Sequence, residues 1–230
     1  MDRDVIIACD FSSKEALYGF LGKFGDIKPF LKVGMELFYK EGPGMVRELK
    51  EKGYKIFLDL KLHDIPNTVY RAMKNLASLG VDITNVHAAG GTEMMRYAKR
   101  GLEEGARGNL PLLISVTQLT SISEEILRKE LLIGASLADT VKAYAQNTKE
   151  AGLDGCVCSP LEAPIIAGLG LLSVTPGIRM EGDGKNDQKR VTTPAMAREL
   201  GSAYIVVGRS ITGAADPAEA YTRCMKEFIG

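Results

Sequence analysis

The stretch Lys55-Ile-Phe-Leu-Asp-Leu-Lys-Leu-His-Asp64 decides the fold. Side chains of a strand alternate between its two faces, so Asp59 and Lys61 point one way while Leu58, Leu60 and Leu62 point the other. A strand of a (β/α)8 barrel has this division of labour: one face packs under helices and the other looks into the barrel. The leucines then take the helix side, and Asp59 and Lys61 stand inside, near the C-terminal mouth.

Outward from this strand, short β-rich runs alternate with helical stretches along the chain. Val5 to Cys9, Phe30 to Val33, Lys55 to Leu60 and Asp82 to Val86 are followed by Pro111 to Val116, Asp154 to Cys158, Leu171 to Thr175 and Tyr204 to Val207. The first four start roughly 25 residues apart, one βα unit each. Eight such units in a chain of 230 residues predict a single-domain TIM barrel over 1–230.

The intervening segments Lys14 to Phe24, Pro43 to Lys52, Thr68 to Leu79, Glu93 to Glu104 and Leu137 to Ala151 mix apolar and charged positions as amphipathic helices do. Gly53, Gly80, Gly105 and Gly152 each follow one and read as helix stops in the left-handed conformation. Two segments break the rhythm. Ser121 and Glu124 fit a capping box opening an extra helix after the fifth strand. The glycine-bearing, charged run from Gly177 to Val191 follows the seventh strand and reads as a lid at about 177–191.

Composition narrows the function. Twenty-nine Lys and Arg balance twenty-nine Asp and Glu, so there is no general positive field to attract nucleic acid or an acidic membrane surface. Four cysteines in a chain of this length show neither a disulfide framework nor a metal-binding spacing. The apolar run after Met1-Asp2-Arg3-Asp4 is too short for a signal peptide or a membrane span. The expectation is a cytoplasmic protein with reduced cysteines.

The chemistry concentrates at one mouth. Asp59-x-Lys61 alone reads equally well as a salt bridge capping the barrel. Asp64 follows three residues later, however, and Asp10 and Lys32 end the first and second strands. Five converging charges are hard to explain structurally, because burying an ion costs several kcal/mol even when it is paired. Lys32, with Phe30 and Gly34 on its face, is expected inside rather than snorkelling outward.

Val207-Gly208-Arg209-Ser210 ends the last strand, where barrels commonly bind phosphate. Gly208 admits close backbone approach and Arg209 supplies a charged fork. Arg179, Gln188 and Arg190 in the lid segment either close over the same anion or form a solvated loop. Gly90-Gly91-Thr92 reads as a tight turn. His63 and His87 lack metal-ligand spacing and read as polar residues at strand ends; no dinucleotide or P-loop signature occurs.

These residues carry a resemblance to the bacterial orotidine 5′-phosphate decarboxylases over essentially the whole chain. The signature is Asp59-Leu-Lys-Leu-His-Asp-Ile-Pro-Asn-Thr68. It is joined by Asp10, Phe30-Leu-Lys-Val-Gly34, Val116-Thr-Gln-Leu-Thr-Ser121, Val174-Thr-Pro-Gly-Ile-Arg179, Asp187-Gln-Lys-Arg190 and Val207-Gly-Arg209. The resemblance implies a homodimer that converts orotidine 5′-phosphate to UMP and carbon dioxide, in de novo pyrimidine synthesis, with no cofactor and no metal.

It also implies roles. Lys61 would protonate C6; Lys32, Asp59, Lys61 and Asp64 would form an alternating charge array; and Asp64, Ile65 and Thr68 would reach the neighbouring subunit's site. Asp10 and Lys32 would hold ribose hydroxyls, Thr120 would contact the pyrimidine with Pro176 also in the substrate site, and Arg179, Gln188, Gly208 and Arg209 would surround the phosphate. The alternative is a magnesium-dependent sugar-phosphate decarboxylase or synthase of the same superfamily. Those have an acid on the second strand that helps bind metal, where this chain has Lys32. A non-catalytic nucleotide-binding barrel is the other rival, although such a protein would have no need of the charge array.

Overall fold

The computed structural model describes residues 3–181 and 192–230 of the chain. Eight parallel strands close into a barrel in sequence order, with β8 returning to β1. They are β1 (Asp4–Ala8), β2 (Phe30–Gly34), β3 (Ile56–Leu62), β4 (Ile83–His87), β5 (Leu112–Val116), β6 (Gly155–Val157), β7 (Leu172–Ile178) and β8 (Tyr204–Val207). All eight coincide with the runs expected from sequence to within a few residues, because each is a β-rich run bounded by turn or helix-stop residues.

The two faces of the strands bury different things. Ile6, Ala8, Phe30, Phe57, Ile83, Ile114, Val174 and Val206 pack together inside the barrel. Val5, Ile7, Leu31, Val33, Ile56, Leu58 and Leu60 belong to the larger core between strands and helices. Leu62, partly buried, packs against that outer core. The alternation expected for β3 therefore holds: Phe57 and Asp59 face in, and the leucines face the helices.

The helices are α1 (Lys14–Leu21), α2 (Met35–Glu51), α3 (Pro66–Ala77), α4 (Gly91–Gly105), α5 (Glu124–Lys129), α6 (Leu137–Glu150), α7 (Ala163–Gly168), α8 (Pro194–Glu199), α9 (Arg209–Thr212) and α10 (Pro217–Ile229). Their starts are chemically marked. Ser13, Ser136, Thr193 and Asp216 each accept a backbone N–H of the first turn, and Pro66, Pro194 and Pro217 open their helices.

Three local expectations need correction. The fifth-strand extra helix is capped by Ser123, which accepts from the Ile126 N–H, and not by Ser121; Glu124 instead accepts from the Leu137 N–H and ties α5 to α6. The helix expected from Pro43 begins earlier, at Met35, and is broken by Gly42 at φ 74° just before Pro43, so two helical pieces lie end to end.

Gly105 is not a left-handed stop, whereas Gly53, Gly80 and Gly152 all have positive φ. It lies buried against α3: a Cβ there would come within 2.1 Å of the Lys74 carbonyl oxygen, and one on Gly101 within 2.3 Å of the Tyr70 carbonyl oxygen. The two glycines, one turn apart, let the α3 and α4 backbones touch.

Candidate active site

The inward face changes character above the apolar layer. Two residues further toward the C-terminal ends, Phe30 gives way to Lys32, Phe57 to Asp59 and Ile83 to Asn85. Strand pairing sets Lys32 level with Phe57 and Gly34 level with Asp59, so Lys32 starts one layer below Asp59 and its long side chain reaches up to within 3.5 Å of the carboxylate. Gly34 leaves the room they need, since a Cβ there would lie 3.3 Å from Lys32 Nζ and 3.6 Å from Asp10 Oδ1.

Asp59 is the centre of the array. Its Oδ1 accepts from Lys61 Nζ at 2.7 Å and from Asn85 Nδ2 at 2.7 Å, while Oδ2 lies 3.5 Å from Lys32 Nζ. Lys32 Nζ also donates to Asp10 Oδ1 at 3.1 Å. The Asp59 and Lys32 side chains are only 11% and 13% exposed, and Lys61 25%. Burial opposes ionisation of Asp59, but the adjacent Lys32 and Lys61 outweigh it and hold the carboxyl below its ordinary value. Burial likewise opposes the charge on Lys32, and Asp59, followed by Asp10, more than compensates and raises its value.

The backbone beneath Lys61 is unusual. Lys61 has φ 50°, and among the described residues only Leu132 shares positive φ without being glycine. An L-residue in the left-handed region costs about 1–2 kcal/mol. The β3–β4 ladder is irregular at this place: Leu58 pairs with Thr84 and Leu62 with Val86, so β3 takes four steps while β4 takes two. This bulge turns the Lys61 ammonium back onto Asp59.

A cavity of about 260 Å³ opens beside the array, with Lys32, Asp59 and Lys61 on one side and Val116, Thr120 and Pro176 among the residues opposite. A second, of about 200 Å³, lies on the other side of the same three charges and reaches Asp10, Gly34 and Glu36. The array is thus the wall shared by two hollows, one largely apolar and one of mixed polar and apolar lining.

The arginine end is set by neighbouring strands. Ile178 of β7 pairs with Val207 of β8, so Arg179 and Gly208-Arg209 emerge side by side. Met180 N–H donates to Ser210 Oγ at 3.4 Å, which fastens the two strand ends together, and Arg179 N–H donates to the Thr192 carbonyl at 3.1 Å, which ties the end of β7 to the residues that lead into α8. Gln188, Arg190 and most of the expected lid lie outside the described residues.

The sequence-predicted residues fall into two groups. Asp10, Lys32, Asp59, Lys61, Thr120 and Pro176 meet at the cavities. Asp64, Ile65 and Thr68 do not: all three are exposed, and Asp64 Oδ1 accepts from the Ile65 N–H instead of pairing with a lysine of the array. His63 and His87 lie with ring centroids 5.6 Å apart at the strand ends. Burial, His63 and Lys61 lower the His87 value.

Sequence reasoning missed Asn85; its place two residues after Ile83 puts it on the inward face by alternation but says nothing of its partners. Among the described residues no group of three or more His, Cys, Asp or Glu side chains is arranged to hold a metal, and no helix is long and apolar enough to cross a membrane.

A closed parallel barrel with lysines and a carboxylate buried at its C-terminal mouth belongs to the class of (β/α)8 enzymes that act through preorganised charge. Comparison with known proteins narrows the class. Residues 3–224 match the model of the orotidine 5′-phosphate decarboxylase / HUMPS family. The orotidine 5′-phosphate decarboxylase of Bacillus cereus (strain Q1) is 56% identical over 235 residues, spanning 100% of this chain and 99% of that one.

The crystal structure of orotidine 5′-phosphate decarboxylase from Lactobacillus acidophilus superposes with TM-score 0.91 at 47% identity, covering 100% of both chains. The enzyme of that name from Pyrococcus horikoshii OT3 gives TM-score 0.77 at 25% identity, over 98% of this chain and 99% of that one. This chain belongs to the orotidine 5′-phosphate decarboxylase / HUMPS family.

Proposed function

We propose that this chain is a carboxy-lyase that converts orotidine 5′-phosphate to UMP and carbon dioxide in de novo pyrimidine synthesis. The observation that carries the reading is the buried ladder Lys32–Asp59–Lys61 beside a cavity, in a chain 56% identical to enzymes of that name. Loss of carbon dioxide from C6 leaves an electron pair that no ring position delocalises. A fixed cation must therefore stabilise it.

Lys61 supplies that cation. As the bond from C6 to the carboxylate breaks, the electron pair takes a proton from Lys61 Nζ, forming the C6–H bond, and the lysine recovers its proton from solvent. Asp59 holds the ammonium in place and excludes a second anion from its neighbourhood, which works against the substrate carboxylate in the ground state. The chemistry is complete with the side chains of the array and calls on no cofactor or metal.

Binding is divided among the remaining residues. Asp10 and Lys32 take the ribose hydroxyls, Thr120 the pyrimidine beside Pro176, and Arg179, Gln188, Gly208 and Arg209 the phosphate, with 177–191 as the closing segment. Phosphate binding remote from C6 supplies energy for closure. The working unit is a cytoplasmic homodimer in which Asp64, Ile65 and Thr68 complete the neighbouring site. In support, Ile65, Met35 and Tyr39 leave large apolar side chains 68%, 44% and 70% exposed and so available to a second copy.

The second reading is a magnesium-dependent sugar-phosphate decarboxylase or synthase, but Lys32 argues against it, since its ammonium would repel Mg²⁺ at the position where an acid is needed. The test is the loss of ultraviolet absorbance of orotidine 5′-phosphate with purified protein, with and without EDTA. EDTA-insensitive conversion to UMP is expected. Inertness toward this substrate together with magnesium-dependent turnover of sugar phosphates would overturn the reading.

A further inference from the structure

Asn85 is fully buried in the middle of β4, and both ends of its amide are used on the array. Its Nδ2 donates to Asp59 Oδ1 at 2.7 Å, and its Oδ1 accepts from the backbone N–H of Lys61 at 2.8 Å. It stands where the β3–β4 ladder fails, between the pairs Leu58–Thr84 and Leu62–Val86. A bulge of this kind leaves strand N–H and C=O groups without their ladder partners, and a buried one needs a replacement.

Asn85 is that replacement for the Lys61 N–H. A side-chain amide offers both an acceptor and a donor on one short planar group without carrying charge: an ionised carboxylate could serve the Lys61 N–H but would repel Asp59, and an aliphatic side chain would serve neither. We propose that Asn85 is a positioning residue of the active site. It holds Lys61 in its left-handed backbone conformation and turns the Asp59 carboxylate so that one oxygen receives the Lys61 ammonium.

This inference rests on the decarboxylase reading for its kinetic consequence, but the geometry it describes has its own readout. In the absence of substrate, the Lys61 backbone amide should be strongly protected from hydrogen exchange in the native protein, and the protection should fall at least about tenfold in Asn85→Leu and survive in Asn85→Asp, which keeps the acceptor. Equal protection in all three proteins would overturn the proposal whatever the substrate proves to be.

The kinetic arm separates positioning from general structural support. Displacing the ammonium by a fraction of an ångström to an ångström is expected to lower kcat for orotidine 5′-phosphate by about 100-fold or more in Asn85→Leu, with the dissociation constant for UMP changed less than about threefold. In Asn85→Asp, activity should rise as pH is lowered from 8 to 6, because the introduced carboxyl donates to Asp59 only when protonated. Because Asn85 acts through Lys61, Asn85→Leu should cost nothing further in a Lys61→Ala background.

Activity in the native protein with unchanged kcat in Asn85→Leu, or fully additive losses in the double variant, would contradict the proposal. Should Asn85→Leu fail to fold, the Asn85→Asp pH profile and exchange measurement decide alone: a profile parallel to that of the native enzyme counts against it.

Discussion

Asp59 and Lys61 meet through a single carboxylate oxygen at 2.7 Å, leaving the other oxygen to face Lys32 at 3.5 Å. One buried carboxylate therefore holds two ammonium groups, and the three side chains order one another before any substrate arrives. Preorganisation of this kind contributes to catalysis because no reorientation is needed when charge develops in the transition state.

The directions of the two shifts fix a pH window. The Asp59 carboxyl lies below its ordinary value, so its contribution to stability is present above the unfolded carboxylate range and is lost as pH falls through the lowered native value. Lys32 lies above its ordinary value, so its contribution is complete below the unfolded lysine range and is lost as pH rises through the raised native value. Between these limits Asp59 and Lys32 keep their charges, and kcat measured at saturating substrate should show no limb from either through neutrality. A limb between pH 6 and 8 would show that another group, such as His87, controls the chemistry.

Strain at Lys61 has a measurable signature. Glycine adopts the left-handed region without a clash, whereas alanine carries the same Cβ penalty as lysine. After allowing for the looser unfolded chain of a glycine variant, Lys61→Gly should be more stable than Lys61→Ala by up to about 1 kcal/mol. Chemical denaturation of the pair measures this directly, and a less stable glycine variant would argue that the bulge is not strained.

The glycines of α4 control how the scaffold reaches the site. Gly105→Ala brings a methyl to within 2.1 Å of the Lys74 carbonyl oxygen, so α3 and α4 must separate. Overpacking of this order costs about 1–3 kcal/mol. Because α3 begins just after Asp64 and carries Thr68, activity should fall along with the midpoint of thermal melting. An unchanged melting midpoint would mean that the helices have slack at this contact.

Sharing of sites between subunits is tested by mixing. Lys61→Ala and Asp64→Ala proteins, each inactive alone, should regain activity after subunit exchange, since one site of each mixed dimer then has Lys61 from one chain and Asp64 from the other. Absence of recovery, with exchange verified by an independent label, would place Asp64 in its own chain's site.

Much of this was legible in the sequence because the information was local. The alternation of Asp59 and Lys61 against Leu58 and Leu60 placed two charges inside the barrel, and the same parity placed Lys32 above Phe30. The bulge was not legible, since a two-residue excess on β3 depends on how β4 pairs with it, which no single-strand pattern records. Asn85 was overlooked for a related reason: a lone asparagine in a strand acquires meaning only from the ladder gap it fills. The role given to Gly105 differed from its structure because a glycine at a helix end fits both a left-handed stop and a close helix contact. Only the position of Lys74 on the neighbouring helix distinguishes them.

In the proposed mechanism Lys61 delivers the proton to C6 and stabilises the charge that precedes it. The most direct measurement is turnover of orotidine 5′-phosphate by Lys61→Ala, alongside the affinity of the same protein for UMP. Turnover should fall by at least about 10³-fold while UMP binding stays measurable, since the product needs no cation at C6. Near-native turnover by a folded, UMP-binding Lys61→Ala protein would contradict the account.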